Sequence, residues 1–249
     1  MSLDDLKREL VLANRILARE DVVDAYGHVS VRHPDDPSRY FLARSRAPEL
    51  VEVSDVMEFE LDGTPVGDDK RQPYLERFIH GAILEARPDI NAVVHAHAED
   101  TLPFGIAGAQ KLRPVIHSGA FIGGPVPVWD IADEFGDDTN LLVTNVAQGR
   151  DLAKTLGSGR VAIMRGHGFA AAGESLIEVV RLSVYLPRNA RVQMSAMRMG
   201  EFKPLSEGEI GQRAGGGETY GANTQTTWRA WEYWAYRAKC EGLLGPRPK

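Results

Sequence analysis

The sequence contains a single cysteine, Cys240, in 249 residues. One thiol excludes an intramolecular disulfide framework and any four-cysteine zinc module, and a reducing compartment is the natural expectation. A basic surplus is missing too: Lys and Arg number 29 against 35 Asp and Glu, a formal net charge of −6. Nucleic-acid and membrane-surface partners are therefore not expected, because they call for a basic excess or stripe. No apolar run reaches bilayer-spanning length, and residues 1–6 lack both a basic n-region and an apolar h-region. The sequence thus predicts no signal peptide and a cytoplasmic protein. Repeats, low-complexity tracts and Pro/Ser linkers are absent, and the length suits one domain over 1–249. Seven histidines remain, and any metal site must draw most of its nitrogen ligands from them.

Leu3, Leu6, Leu10, Ala13 and Leu17 recur at helical spacing behind Ser2, which reads as the N-cap. Strands are expected within 24–33 and at 40–43, 57–61, 92–94, 141–144 and 161–164, with a hairpin turn at Asp62-Gly63. Helical spacing returns from Tyr74 to Arg87 and over 146–156. A long helical pattern over 174–200 should be kinked or split by Pro187. The glycine-rich stretch 208–221 reads as mobile. A closing helix over 227–244 carries Trp228, Trp231 and Trp234, a stripe that suits packing or subunit contact better than a cofactor box. Gly157-Ser158-Gly159 lacks the rest of a dinucleotide fingerprint and reads as a turn. Helices and strands intersperse without steady alternation, which predicts an α/β domain around a mixed sheet rather than a Rossmann fold or a barrel.

His95-Ala96-His97 leaves a buried strand, where residues i and i+2 point to one side and both imidazoles can meet at one point. That geometry suits a metal, while the plainer alternative is two polar loop histidines; the pattern alone leaves both open. His167, flanked by Gly166 and Gly168 after another apolar strand, adds a third imidazole. Glu76 opens the helix that runs into the His95 strand, and by itself it would read as an acid favoured by the helix dipole.

These residues resemble the class II aldolase/adducin family over nearly the whole chain. The resemblance rests on Gly27-His28-Val29-Ser30-Val31-Arg32, Leu75-Glu76-Arg77-Phe78-Ile79-His80, the run from Ala86-Arg87-Pro88 through His95-Ala96-His97, and Arg165-Gly166-His167-Gly168. It implies a three-layer α/β/α fold around a mixed, mainly antiparallel sheet. It also implies one divalent ion per subunit on His95, His97 and His167, with Glu76 as fourth ligand or acid/base. A homotetramer or higher homo-oligomer, with sites near subunit interfaces, is implied as well. Non-enzymatic adducin-like members usually lose the metal histidines; this chain keeps all three.

The phosphate cradle of the sugar-phosphate aldolases is not matched. Its places read His28, then Ala43-Arg44-Ser45-Arg46-Ala47-Pro48, then Gln72-Pro73, and Ile116-His117 is followed by Ser118 where those aldolases tend to carry a tyrosine. The replaced positions resemble the family's aromatic decarboxylase branch, of the 3-hydroxy-2-methylpyridine-4,5-dicarboxylate 4-decarboxylase and 3,4-dihydroxyphthalate decarboxylase type. That resemblance implies a lyase that decarboxylates an ortho-hydroxy aromatic or pyridine (di)carboxylic acid through a metal-stabilised enolate or phenolate. Glu76 is the first candidate for the acid, with His117 and His28 behind it. Arg44 and Arg46, with Tyr74 and Ser30, are candidates for gripping the substrate, a small carboxylic acid; solvated strand-end charge is the alternative for the arginines. His80, four residues after Glu76, would orient it, and His33 reads as surface. Three imidazoles and a carboxylate suit Zn2+, whereas a chelating O,O substrate suits Mn2+. The competing functions are an aldolase for an unphosphorylated hydroxy-keto acid and a non-catalytic adducin-like interaction module.

Overall fold

The computed structural model describes residues 2–214 and 225–246. Helix α1 (Leu3–Arg19) starts where the sequence predicts, with Ser2 and Asp5 forming a reciprocal capping box. Among the described residues, seven strands form one sheet: β1 (His28–Arg32), β2 (Arg39–Ala43), β3 (Val56–Glu60), β4 (Ala92–Ala96), β5 (Val128–Trp129), β6 (Val161–Met164) and β7 (Gly168–Gly173). Their spatial order is β3-β2-β1-β4-β7-β6-β5, antiparallel throughout except for the β5–β6 pair. Helices α2 (Arg77–Ala86) and α5 (Val146–Leu156) pack together on one side of the sheet. On the other, α1 and the long α6 (Leu176–Met199) pack with α8 (Gln225–Arg237). Short helices α3 (Leu102–Ile106), α4 (Ile131–Phe135) and α7 (Glu207–Ala214) complete the described elements. The strands β1, β4 and β7 at the centre are buried along their full length, as layers on both faces require.

Several expectations change on contact with the structure. Residues 141–144 are not a strand: Leu141 adopts φ +66, and the Val143 N–H is spent on the Glu76 carboxylate instead of a ladder. The two-residue β5 occupies the sheet edge beside β6 instead. Strand β7 escaped notice because Gly-Phe-Ala-Ala-Ala-Gly has little β-propensity; its place between β4 and β6 makes it a strand. Helix α2 begins at Arg77 rather than Tyr74, because the Tyr74 carbonyl is held by the Arg77 guanidinium and its hydroxyl by the Arg46 carbonyl. Helix α6 continues through Pro187 unsplit. Packing along 24 residues outweighs one lost hydrogen bond and ring clash, worth about 3 kcal/mol. Residues 208–214 of the stretch read as mobile belong to α7, and 215–221 lie outside the described residues. The closing helix ends at Arg237, where the chain turns through Lys239 (φ +56) into a 3-10 turn at Glu241–Leu243. Trp228, Trp231 and Trp234 are buried in the core, as a packing stripe should be.

Candidate metal centre

Strand register builds the site. His95 lies opposite His28 across β4 and β1, so both rings point to the α2 side, and their centroids are 5.1 Å apart. His97 follows two residues on. The turn between β6 and β7 brings in His167, with Gly166 at φ +68. Gly168 is obligatory there: a Cβ would sit 2.2 Å from the Ala96 carbonyl oxygen and 3.1 Å from His97 Cδ2. Glu76 stands at the edge of α2, but its carboxylate caps nothing in that helix. Its Oε1 accepts the Val143 N–H at 3.0 Å, leaving Oε2 3.3 Å from His95 Nε2 and 3.5 Å from His167 Nε2.

The three imidazoles converge through their Nε2 atoms, 3.0 Å apart for His95 and His97 and 3.1 Å for His97 and His167. His95 Nδ1 lies 3.0 Å from the Phe169 carbonyl, which can only accept, so the proton sits on Nδ1 and the Nε2 lone pair faces the cluster. One proton cannot satisfy three converging nitrogens, whereas a cation can. Tetrahedral ligands at about 2.05 Å from an ion stand about 3.3 Å apart, close to these separations. His95, His97, His167 and Glu76 therefore fit a divalent metal, in a group whose ligand atoms all lie within 4.8 Å of one another.

The electrostatics agree. Burial and the neighbouring His95 and His167 push His97 down to about 4, so it stays neutral and its lone pair is free at neutral pH. Burial alone would raise the Glu76 carboxyl, but the facing His95 and His167 imidazoles hold it well below the usual carboxylate range. The cavity of about 560 Å³ that His97 lines also takes in Asp24, Glu20, Arg188 and Arg191.

The remaining predicted residues sort into two groups. His28 and Tyr74 are next to the cluster: the Tyr74 ring lies 4.6 Å from that of His28, and its hydroxyl donates to the Arg46 carbonyl. His28 Nδ1 lies 2.7 Å from His80 Nε2, and His80 Nδ1 lies 2.6 Å from Ser30 Oγ. His80 thus positions His28 rather than Glu76. Ser30 is 0 % exposed, so it supports His80 and is not a wall of the substrate space as the sequence led one to expect. Arg44 Nε and Arg46 Nη1 both reach the buried Asp55, at 2.6 and 2.8 Å, so one carboxylate anchors the two guanidinium groups. His117 is exposed and lines other cavities than the one beside His97. Val143, Phe169 and Asp55 escaped sequence reasoning. The first two act through backbone atoms, which leave no side-chain signature, and Asp55 looks like any turn aspartate.

The Class II Aldolase and Adducin N-terminal domain matches residues 8–194. The chain belongs to this family. It is similar to the decarboxylase tropJ of Talaromyces stipitatus, 36 % identical over 213 residues, which are 81 % of this chain and 80 % of that protein. It is also similar to the 3,4-dihydroxyphthalate decarboxylase of Arthrobacter keyseri, 29 % identical over 241 residues, 90 % and 91 % of the two chains. Among solved structures, an aldolase II superfamily protein from Pseudomonas syringae superposes with a TM-score of 0.75 at 22 % identity, covering 98 % of this chain and 96 % of that one, and shares the fold. No described helix is long and apolar enough to cross a membrane.

Proposed function

We propose that this protein is a divalent-metal-dependent carboxy-lyase that removes CO2 from an ortho-hydroxy aromatic or pyridine carboxylic acid. The observation that carries the reading is the convergence of His95, His97, His167 and Glu76 on one point, in a chain whose relatives are named decarboxylases. A bound cation would supply an electrophile for the electron pair left behind when the C–C bond to the carboxylate breaks. The chain's own residues do the rest. The Phe169 carbonyl fixes the His95 tautomer and the Val143 N–H fixes Glu76, so the ligands are aimed before anything binds. The ring carbon that loses CO2 takes a proton in its place; of the candidates beside the cluster, Glu76 is held ionised and would have to take up a proton before giving it, which favours His28 as the donor, while His117 lies at other cavities. A second substrate carboxylate would meet the guanidinium nitrogens of Arg44 and Arg46 that Asp55 leaves free; Tyr74, ring to ring with His28, bonds the Arg46 backbone carbonyl next to them.

We assign the site to Mn2+ or Zn2+, and the assembly to a homotetramer or higher homo-oligomer. Tyr26 and Leu75, 71 % and 57 % exposed beside His28 and Glu76, support a subunit contact at the rim of the site. The test is CO2 release from ortho-hydroxy aromatic dicarboxylates by protein loaded with each metal, with His97→Ala beside it. Release that His97→Ala abolishes is expected. No CO2 alongside cleavage of a hydroxy-keto acid would make the protein an aldolase. No stoichiometric metal in protein purified without chelator would favour an interaction module.

A further inference from the structure

Side-chain oxygens, rather than a strand or helix, hold the chain where it enters α5. Four consecutive backbone N–H groups each donate to one: Leu141 to Thr139 Oγ1 at 3.1 Å, Leu142 to Asn140 Oδ1 at 3.1 Å, Val143 to Glu76 Oε1 at 3.0 Å and Thr144 to Gln148 Oε1 at 2.8 Å. Asn145 then caps α5 by accepting the Gln148 N–H. Three of the four acceptors lie within four residues of their donors. The fourth, Glu76, comes from 67 residues away and is the carboxylate of the histidine cluster. Inside this turn Leu141 adopts φ +66.

A bulky L residue rarely takes up the left-handed region, because its Cβ crowds the following carbonyl oxygen. Such a conformation persists only where its surroundings fix it from several sides, and those places cluster at working sites. Leu141 is fixed in two ways. Thr139 holds its N–H, and its half-buried side chain packs against the core. Its Cδ1 lies beside Gly166, 3.8 Å from where a Cβ would stand on that residue, and His167 follows directly. The turn aims the N–H of the fully buried Val143 at Glu76 Oε1 instead of into a ladder. The other carboxylate oxygen, Oε2, is thereby left 3.3 Å from His95 Nε2 and 3.5 Å from His167 Nε2. Leu141 therefore packs beside the turn that carries one ligand, and its backbone leads to the group that holds another.

We propose that Leu141, with Thr139 behind it, is a positioning residue for the metal cluster: the left-handed turn the two form aims the Glu76 carboxylate in advance, although neither is itself a ligand. This role rests on the metal-dependent function proposed above and adds to it the residues outside the ligand set that decide how well the carboxylate is placed. A carboxylate free to rotate loses that freedom when it takes a cation, so one already held in place binds more tightly. The outer partners of metal ligands are worth roughly 10–100-fold in affinity, and here the outer partner is a backbone N–H whose direction Leu141 sets.

The test is competition of the full-length protein with a chromogenic chelator for Zn2+ and Mn2+, beside urea unfolding of the metal-free form and the visible absorption of the Co2+-loaded form. Leu141→Ala removes the side chain that enforces the turn, and Thr139→Val removes only the acceptor of its N–H. Each should weaken metal binding by about fivefold or more, below the roughly 10–100-fold of a direct partner. Thr139→Ser, which keeps the hydroxyl, should bind as the wild type does. The Co2+ spectrum follows ligand geometry and should shift in Leu141→Ala. In a Glu76→Ala background no carboxylate is left to place, so Leu141→Ala should there change affinity by less than about twofold. Wild-type affinity in both single variants, with or without a lowered urea midpoint, would overturn the proposal and leave the metal-dependent function standing. A loss just as large without the Glu76 carboxylate would do the same, because the turn would then support the fold and not the ligand. Absence of metal binding to the wild type would overturn both together.

Discussion

The cavity that opens onto the histidine cluster at His97 and an arginine-lined cavity between α6, α7, α8 and the 3-10 segment His117–Ile122 share Glu20 and Arg188, yet the cluster and the arginine-lined walls gather opposite kinds of side chain. In the cluster, lone pairs converge on one point and the only formal charge is that of Glu76, so what is missing there is positive. In the arginine-lined cavity, five guanidinium groups and Glu20 line the walls among the described residues. An acidic chain can hold both because net charge says nothing about local balance. The cluster is also the more rigid of the two. Its ligands stand on β4, on the β6–β7 turn and at the edge of α2, and backbone groups of Val143 and Phe169 fix two of them. The cavity depends on long side chains from three helices.

The sharpest way to break the comparison is to remove one ligand. His167→Ala or Glu76→Gln should lower metal affinity by more than roughly 100-fold, since even the outer partners of a ligand are worth 10–100-fold. Competition with a chromogenic chelator measures this. The same variants should keep the circular dichroism of the wild type; a parallel loss of fold would mean that the lost affinity is structural and not that of a ligand.

A smaller effect separates rigidity from ligand chemistry. Gly168→Ala keeps every ligand but drives a methyl into the Ala96 carbonyl and the His97 ring. The expected outcome is a loss of about 1–3 kcal/mol in urea unfolding of the metal-free protein, with weakened metal binding on top. Gly124→Ala is the control, because nothing lies within 4 Å of its Cβ position. Equal midpoints for the two variants would show that the β7 start has room to shift.

What could be read from the sequence follows the same division. The cluster was legible because its parts are local: His95 and His97 are two residues apart at a strand end, His167 stands between glycines, and Glu76 leads into a helix that precedes the strand. Helix α1 with its Ser2 cap, α5, and the strands β2 and β3 were legible for the same reason. Strand β7 was not, because a Gly/Ala run becomes a strand only when its neighbours are in place. The 141–144 segment misled because an apolar run carries no sign that one of its N–H groups will be taken by a carboxylate 67 residues away. The arginine cavity was invisible as well. Arg181, Arg188, Arg213, Arg229 and Arg237 share no motif, and only the packing of α7 and α8 onto α6 and the His117–Ile122 segment gathers them.

The smallest effect concerns the layer behind the cluster, where His80 holds His28. Burial pushes His80 down to about 3 from 6.5, so in the folded protein it remains neutral where the unfolded chain already binds a proton. The unfolded state therefore takes up the proton first as pH drops. The contribution to stability is complete above about 6.5 and is lost as pH falls toward 3, with a slope of up to about 1.4 kcal/mol per pH unit for one proton. Urea unfolding of metal-free protein between pH 7 and pH 4.5 should show stability falling with acid. His80→Gln, which keeps a polar group beside Ser30 and His28 but cannot take up a proton, should flatten that fall. His33→Gln should not, because His33 sits in a loop where its Nδ1 accepts the N–H groups of Asp35 and Asp36. If His80→Gln reproduces the wild-type slope, the acid sensitivity of the fold belongs to other groups, and His80 is a packing residue rather than a buried neutral base behind His28.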